Sequence, residues 1–471
     1  MAWFFLPRIL AAAMTLVVLI VLTRILGPTD YGRYNIIMVY GTVGFSGIFA
    51  WLAAAMTRFH SAPEFDGKAV AIALGTGLRL SLALVPIAIL GYLLLPESFR
   101  FVVVLGAIFC LSHAVHEIGL VGLRVYGAGP TFAIMALLRP ALGVALVMAF
   151  VHMGGGYASA LMGMAAGSAV TGIYALWIVY RFSGIAPPNR VALRNFFTFG
   201  APLAVVSSGT MLYALLSQSS LAGLSGLDTV GIFAAALTLS MRAIGMPMSM
   251  LSVASAATIF QSFEEHGLEE SNRELARHFS LLMLVSVPVA ATMIFANDTV
   301  TKVVFEGVFQ WEVSKHLPLL ALAAFLSGVQ GCYYDYAFTL ARKTDLQLYI
   351  MGGLIAVHAA ASFGLVWILG PIGASWAALL TAVLGLVTYA YLGNLIRPIS
   401  LPADEVRTMG LATLVYAPFA ILADNMDSIA TALLLLTVGG ITALVVLYIA
   451  GHQGLRIVVG RLPGAQRRWE E

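Results

Sequence analysis

The feature that most limits the fold of this chain is its series of long apolar runs. They lie near 6–25, 34–56, 69–95, 101–123, 132–153, 157–180, 198–221, 231–255, 279–301, 317–340, 347–369, 373–396, 407–424 and 428–450, about fourteen in all. A helix that crosses a bilayer needs about 20 mostly apolar residues. The runs are continuous and do not alternate with period two, so strands of a barrel are not expected. The 471 residues are 60% hydrophobic and 10% charged, whereas soluble domains are roughly 45–50% apolar and about 25% charged. Such an excess cannot be buried in a water-soluble core, so lipid must solvate it, and the fold class is all-α integral membrane. Pro86, Pro140, Pro202, Pro247 and Pro288 fall inside these runs, where kinks against neighbouring helices are tolerated.

Cys110 and Cys332, the two cysteines, sit in apolar runs and read as small buried hydrophobes. The first run follows Met1 with no small-residue cleavage site, so a retained first span is expected. Basic residues fix the orientation. If the N-terminus is cytoplasmic, seventeen of the 25 Lys and Arg fall on the inner side. Only Arg24, Arg33, Arg100, Lys302 and Lys315 fall outside, and Arg79, Arg139 and Arg242 lie within spans. Both termini are therefore expected in the cytoplasm. The segments 261–279 and 188–197 read as amphipathic helices on the inner face or as ordinary solvated elbows.

The chain repeats itself. With an offset of 199, "LGPTDYGRY" (26–34) lies over "SGLDTVGIF" (225–233), matching Gly27 to Gly226, Gly32 to Gly231 and Tyr34 to Phe233. "YASAL" (157–161) resembles "GASWAAL" (373–379), the basic turn at Arg124 resembles that at Arg342 and Lys343, and the inner loops 58–69 and 261–277 correspond in position. Spans 1–6 and 7–12 thus read as one unit duplicated. Six spans is an even number, so the repeat is parallel, the arrangement of a transporter with its site between halves. The expected organisation is a first six-helix bundle (1–181), an amphipathic linker (182–197), a second bundle (198–396), an extra helix pair (397–450) and a basic cytoplasmic tail (451–471).

Arg24, Leu26, Gly27, Pro28, Tyr31, Gly32 and Tyr34 form an R-x-L-G-P-x-x-Y-G-x-Y pattern. With "GLDTVGIFAAA" (226–236) and "GPIGASWAALL" (370–380), it resembles the polysaccharide transport branch of the multidrug/oligosaccharidyl-lipid/polysaccharide exporter superfamily, over nearly the whole chain in span count and order. The resemblance implies a V-shaped central cavity between two bundles. It implies an O-antigen or exopolysaccharide flippase that turns an undecaprenyl-pyrophosphate-linked oligosaccharide from the inner to the outer leaflet of the bacterial cytoplasmic membrane by alternating access. Working partners would be membrane lipids, glycan polymerase and glycosyltransferases. Spans 13 and 14 would form a side groove for the lipid tail.

Ionisable groups at bilayer depth cost about 2.5–3.5 kcal/mol on insertion scales, so they face cavities or partners. Arg24, Arg58, Arg79, Arg139 and Arg242 are the candidates for pyrophosphate charge, because arginine binds phosphate bidentately and stays ionised. Arg24, Arg58 and Arg139 read equally as interfacial residues, and Arg79 and Arg242 as internal ion pairs with Glu117 or Asp335. Tyr333, Tyr334 and Tyr336 are candidate glycan contacts. His113, His116 and Glu117 share a helical face, and with Asp335 and His358 they are candidates for coupling to protons or sodium, or for a structural cluster. Gly27, Pro28, Asp30 and Gly32 build the outer turn, with Asp30 placed to cap span 2 or pair with Arg24 or Arg33. The histidines lack a matching ligand group, so no metal is expected, and nothing calls for a cofactor or nucleic acid.

Other functions fit less well. No phosphate loop is present; "FDGKAV" (65–70) lacks the rest of the motif. A polysaccharide polymerase or ligase would need long outer loops, and the enzyme reading also leaves the duplication unexplained. A cation-coupled drug antiporter lacks the extra span pair, and a lipid II flippase does not match the outer-turn motif.

Overall fold

The computed structural model of the chain describes residues 2–152, 155–341, 343–399 and 401–460. Arg342 and most of the basic tail lie outside them. Every regular element among the described residues is helical. In chain order these are α1 (Ala2–Ile25), α2 (Pro28–Ile48), α3 (Ala50–Phe59), α4 (Ala69–Leu94), α5 (Glu97–Val125), α6 (Gly129–His152), α7 (Tyr157–Ser183), α8 (Arg190–Ser207), α9 (Gly209–Leu224) and α10 (Leu227–Ser240). There follow α11 (Met246–Phe295), α12 (Asn297–Val304), α13 (Val308–Val329), α14 (Asp335–Leu340), α15 (Thr344–Leu369), α16 (Ile372–Ile396), α17 (Ala403–Asp424), α18 (Ile429–Ile449) and α19 (Gln453–Gly460). Two π-helical segments, Met241–Gly245 and Gln330–Tyr334, join α10 to α11 and α13 to α14. The chain forms two compact units, Met1–Ala234 with Met351–Ala359, and Ala235–Ile350 with Ala360–Glu471.

Among the described residues ten helical stretches are long and apolar enough to cross a membrane, or up to eleven if the α2–α3 pair, bent by 43°, is one span. The expected count of about fourteen also includes two shorter apolar helices, Ala13–Ile25 and Met211–Leu224. It further divides the 69-residue stretch Leu227–Phe295 in two. Gly267 makes that division: its φ of 78° and ψ of −157° turn the chain where a side chain would be strained. The segment 261–279 is therefore two helix ends meeting at an elbow, and no separate surface helix forms there. The linker shows the same economy. Gly184 (φ 68°) stops α7, the Asn189 side chain accepts from Ala192 N at 2.7 Å to start α8, and Phe196 then packs against Phe59 and Phe65.

The outer turn departs from expectation in detail. Gly27 is the N-cap of α2 with φ −66°, Pro28 is its first residue, and no side chain caps it. Asp30 lies inside the first turn, where its charge suits the helix dipole, and its carboxylate is 3.6 Å from Arg33. Nothing approaches the place of a Cβ on Gly27, so its backbone is not what demands glycine. Gly32 is different. A Cβ there would strike the carbonyl of Leu227, and one on Gly231 would strike the carbonyl of Pro28. These partners obey the offset of 199 that relates the two sequence halves, so α2 and α10 touch reciprocally through matched residues of the first unit.

In the second unit α17 packs on α18 and on the later limb of α11, where Tyr416 and Thr292 hydroxyls meet at 2.6 Å. A buried polar knot fastens α19. Glu405 accepts from Ser280 Oγ at 2.7 Å and from Gln453 N at 3.1 Å, Ser280 Oγ accepts from Gly454 N at 2.6 Å, and His452 Nε2 lies 2.8 Å from Glu405.

Two predictions follow from these contacts. Overpacking costs about 1–3 kcal/mol, so Gly32→Val and Gly231→Val should each lower the thermal midpoint in detergent by several degrees, while Gly27→Ala leaves it unchanged. Burial holds the His452 pKa below its ordinary value, with Glu405 partly offsetting it. The unfolded chain then takes up the proton first, so stability is full above about pH 6.5 and falls as pH drops below it. Melting curves between pH 5 and 8 should show this loss in the native protein and a shallower one in His452→Gln.

Candidate functional site

The most connected polar cluster lies in the first unit and is assembled by helix packing. Helices in lipid gain little from hydrophobic burial against one another, so close approach at small residues holds them. One face of α7 supplies such residues at Gly163, Gly167, Thr171, Gly172 and Ala175. A Cβ on Gly163 would lie 2.6 Å from Val147 N on α6, and one on Gly167 2.8 Å from Gly143 N and 3.2 Å from Arg139 O. A Cβ on Gly172 would lie 2.5 Å from His116 N on α5. These approaches draw α5 and α6 onto α7 and bring their polar side chains together.

Arg139 sits at the centre. It donates through Nη1 to Glu117 Oε1 at 3.0 Å, through Nε to Ser168 Oγ at 3.0 Å and through Nη2 to His113 Nδ1 at 2.9 Å. Arginine only donates, so His113 Nδ1 is an acceptor and that ring carries its proton on Nε2. The ring is wedged against Phe45 at 4.8 Å and Phe109 at 5.9 Å. His116 turns away to α7. Thr171 gives its proton to Gly167 O at 2.8 Å, so His116 Nδ1, 2.9 Å from Thr171 Oγ1, is the donor. The structure therefore joins His113 and Glu117 and assigns His116 to a separate contact. The Arg139 and Glu117 side chains keep 22% and 34% exposure, so the pair is not sealed inside the helix packing.

The other candidates are dispersed. Arg24, Arg58 and Arg79 are exposed. Arg58 and Arg79 have no ion-pair partner among the described residues. Arg242 is half-buried in the first π segment, with Nη1 3.7 Å from Met246 Sδ. Tyr333, Tyr334 and Tyr336 are buried in the second unit. The Tyr333 ring lies 4.7 Å from that of Phe279, and Tyr336 donates to Ser252 O at 3.1 Å. Asp335 accepts from Gln347 Nε2 at 2.6 Å and from Thr339 Oγ1 at 3.1 Å. His358 Nε2 lies 3.0 Å from Ser217 Oγ and 3.1 Å from Tyr213 O. Among the described residues no three His, Cys, Asp or Glu side chains form a metal-holding group.

Ser168, Thr171 and Gln347 were not among the sequence candidates. The small-residue spacing in "GMAAGSAVTG" (163–172) is the signal for the first two, since it marks a helix face that neighbours approach closely. Asp335 also stands 218 residues after Glu117, the offset that relates Arg342 to Arg124. Both acids are held by a donor from the next long helix in the chain, Arg139 on α6 for Glu117 and Gln347 on α15 for Asp335.

A chain of many apolar helices, with a polar cluster assembled among them, has the general form of a membrane transporter. The family model described as polysaccharide biosynthesis protein matches residues 1–263, and the chain belongs to that family. Its fold is similar to that of the lipid II flippase MurJ in an inward closed conformation, with TM-score 0.73 and 13% identity over 95% of this chain and 97% of that one. An inward-facing multidrug resistance MATE family transporter of the MOP superfamily matches with TM-score 0.61 and 15% identity over 84% of this chain and 96% of that one. A MOP superfamily transporter from Pyrococcus furiosus matches with TM-score 0.59 and 15% identity over 84% and 96%. No curated protein matches by sequence.

The Arg139–Glu117 bond should be measurable. A double-mutant cycle with Glu117→Gln and Arg139→Met, read by thermal melting in detergent, should give a coupling of about 1 kcal/mol for this partly exposed pair.

Proposed function

We propose that the protein is a flippase that carries an undecaprenyl-pyrophosphate-linked oligosaccharide from the inner to the outer leaflet of the bacterial cytoplasmic membrane for surface polysaccharide synthesis. What supports this reading is a guanidinium, Arg139, held among apolar helices by Glu117, His113 and Ser168 in a chain of the polysaccharide biosynthesis family, with Arg79 and Arg242, which fall inside apolar runs of the sequence, as further candidates. A pyrophosphate needs cationic donors inside the membrane, and arginine supplies them without titrating. Arg24 and Arg58 add charge near the two membrane faces. Alternating access about a cavity between the two sequence repeats, with both termini cytoplasmic, completes the cycle. Glu117 and Asp335, with His113, His116 and His358 nearby in sequence or fold, are the candidates for coupling to a proton or sodium gradient. Buried tyrosines Tyr333, Tyr334 and Tyr336 would meet the glycan only in another conformation of the second unit. The reading takes transport, without catalysis, as the whole activity.

A second cargo, lipid II itself, is favoured by the match to a lipid II flippase over 95% of this chain, against 84% for the drug transporters. The α17–α18 pair lies beyond the twelve spans of the duplicated unit and supports a lipid-linked cargo over a soluble drug. The outer-turn motif supports the polysaccharide cargo over lipid II.

Arg79→Ala and Arg242→Ala should abolish surface glycan while the protein inserts at normal levels, as read by glycan staining and membrane immunoblots. Unchanged glycan in both variants removes these residues from the cargo role. Complementation of a lipid II flippase deletion, with no effect on surface polysaccharide, would transfer the reading to lipid II.

A further inference from the structure

We infer that Arg139 has two alternative acceptors, the Glu117 carboxylate and a phosphate of the cargo, and that a proton on Glu117 decides between them. The inference rests on the flippase reading above and concerns the regulation of its site. The geometry supports it in three ways. The Glu117 bond uses one carboxylate oxygen, Oε1, at 3.0 Å. Both partners retain side-chain exposure, 22% for Arg139 and 34% for Glu117, so the bond is not sealed inside the helix packing. The other two contacts of the guanidinium, Ser168 Oγ and His113 Nδ1, are neutral acceptors from two different helices. They keep Arg139 in place when Glu117 lets go, and neither satisfies its charge.

A phosphate oxygen is the acceptor that would. It carries more charge than a carboxylate oxygen and accepts bidentate arginine bonds. When hydronium gives a proton to Glu117, one O–H bond breaks on hydronium and one forms on the carboxylate, leaving water and a neutral acid, and the ion pair with Arg139 is lost. Arg139 then has donors to offer a phosphate. The linkage is reciprocal: a phosphate on Arg139 strips Glu117 of its counter-ion, and Glu117 takes up a proton. Cargo and proton bind together.

The groups facing Glu117 are few. From α5 itself they are His113, 4.0 Å away, and His116, within electrostatic reach. From α6 the facing group is Arg139. From α2 Tyr34 is coupled to Arg139, and α7 brings the hydroxyls of Ser168 and Thr171. Arg58 on α3 and Arg79 on α4 make no ion pair among the described residues. Among the described residues Glu117 is thus the one acid in ion-pair contact with Arg139.

The test uses the full chain in nanodiscs of zwitterionic lipid with undecaprenyl pyrophosphate as the probe. The native protein should bind more tightly as pH falls, up to about tenfold per pH unit for one linked proton, and should take up protons on binding in weakly buffered dye solution. Glu117→Gln cannot accept the proton. It should bind about tenfold tighter than the native protein at pH 7.5, with a flat pH profile and no proton uptake. Arg139→Ala should weaken binding and flatten the profile in both backgrounds, and Arg139→Lys should restore part of the affinity if Arg139→Ala folds poorly. A Glu117→Gln protein with native affinity and native pH slope overturns the inference, as does native affinity in Arg139→Ala. In both cases native flipping of a lipid-linked oligosaccharide in vesicles leaves the flippase reading standing. A native protein that binds no probe and flips no such lipid overturns both. Affinity that follows phosphatidylglycerol content instead of probe concentration assigns the phosphate to a lipid headgroup and overturns the cargo assignment.

Discussion

Backbone proximity at small residues is the constraint on which the rest of the structure depends. In water a helix face is recruited to its neighbour by apolar area; between helices in lipid that drive is nearly absent. The α7 seam replaces it with contact at main-chain distance, through Gly163 to Val147, Gly167 to Gly143 and Gly172 to His116. Because these approaches fix α5 and α6 to within a side-chain length of each other, Arg139 can satisfy Glu117, His113 and Ser168 at once. The polar cluster is a product of the seam, and methyl groups along that face would separate its members before any charge was altered.

The two intramembrane acids show how duplicated positions diverge. Glu117 faces a guanidinium, whereas Asp335 faces the neutral amide of Gln347 at 2.6 Å and a hydroxyl at 3.1 Å. Matched places in the two halves therefore hold one charge pair and one set of uncharged donors. Among the described residues the second half also carries the two π segments, Met241–Gly245, which contains Arg242, and Gln330–Tyr334, which ends just before Asp335. Such single-turn irregularities re-aim the side chains beside them and are frequent at functional sites.

The membrane class and the runs were legible because each is written in residue type and spacing over many positions. The glycine match Gly32 to Gly231 was legible as a correspondence, and the structure adds that the two residues meet. Asp30 as a cap was not foreseeable in detail: Pro28 starts α2 one residue after Gly27, which places Asp30 inside the first turn. His113, His116 and Glu117 share one side of α5, yet i+3 and i+4 neighbours diverge by a fraction of a turn, enough for His116 to bond Thr171 on another helix while staying within electrostatic reach of Glu117. The elbow at Gly267 and the breaks at Phe49 and Ser208 rest on single residues whose backbone angles depend on tertiary packing. Partner identity was the least legible property. Ser168 and Gln347 are ordinary residues in sequence, and only three-dimensional proximity gives them Arg139 and Asp335.

The meeting of Gly32 with Gly231 has the form of a self-complementary surface, in which residue 32 approaches residue 227 while its counterpart 231 approaches residue 28. Contacts of this isologous kind arise when two identical subunits associate about a two-fold axis. Tandem duplication of a gene encoding a six-helix homodimer would preserve such a contact unchanged, because its geometry is indifferent to whether the copies are one polypeptide or two. In such a duplication the reciprocal glycines would be a contact that needed no change when two chains became one.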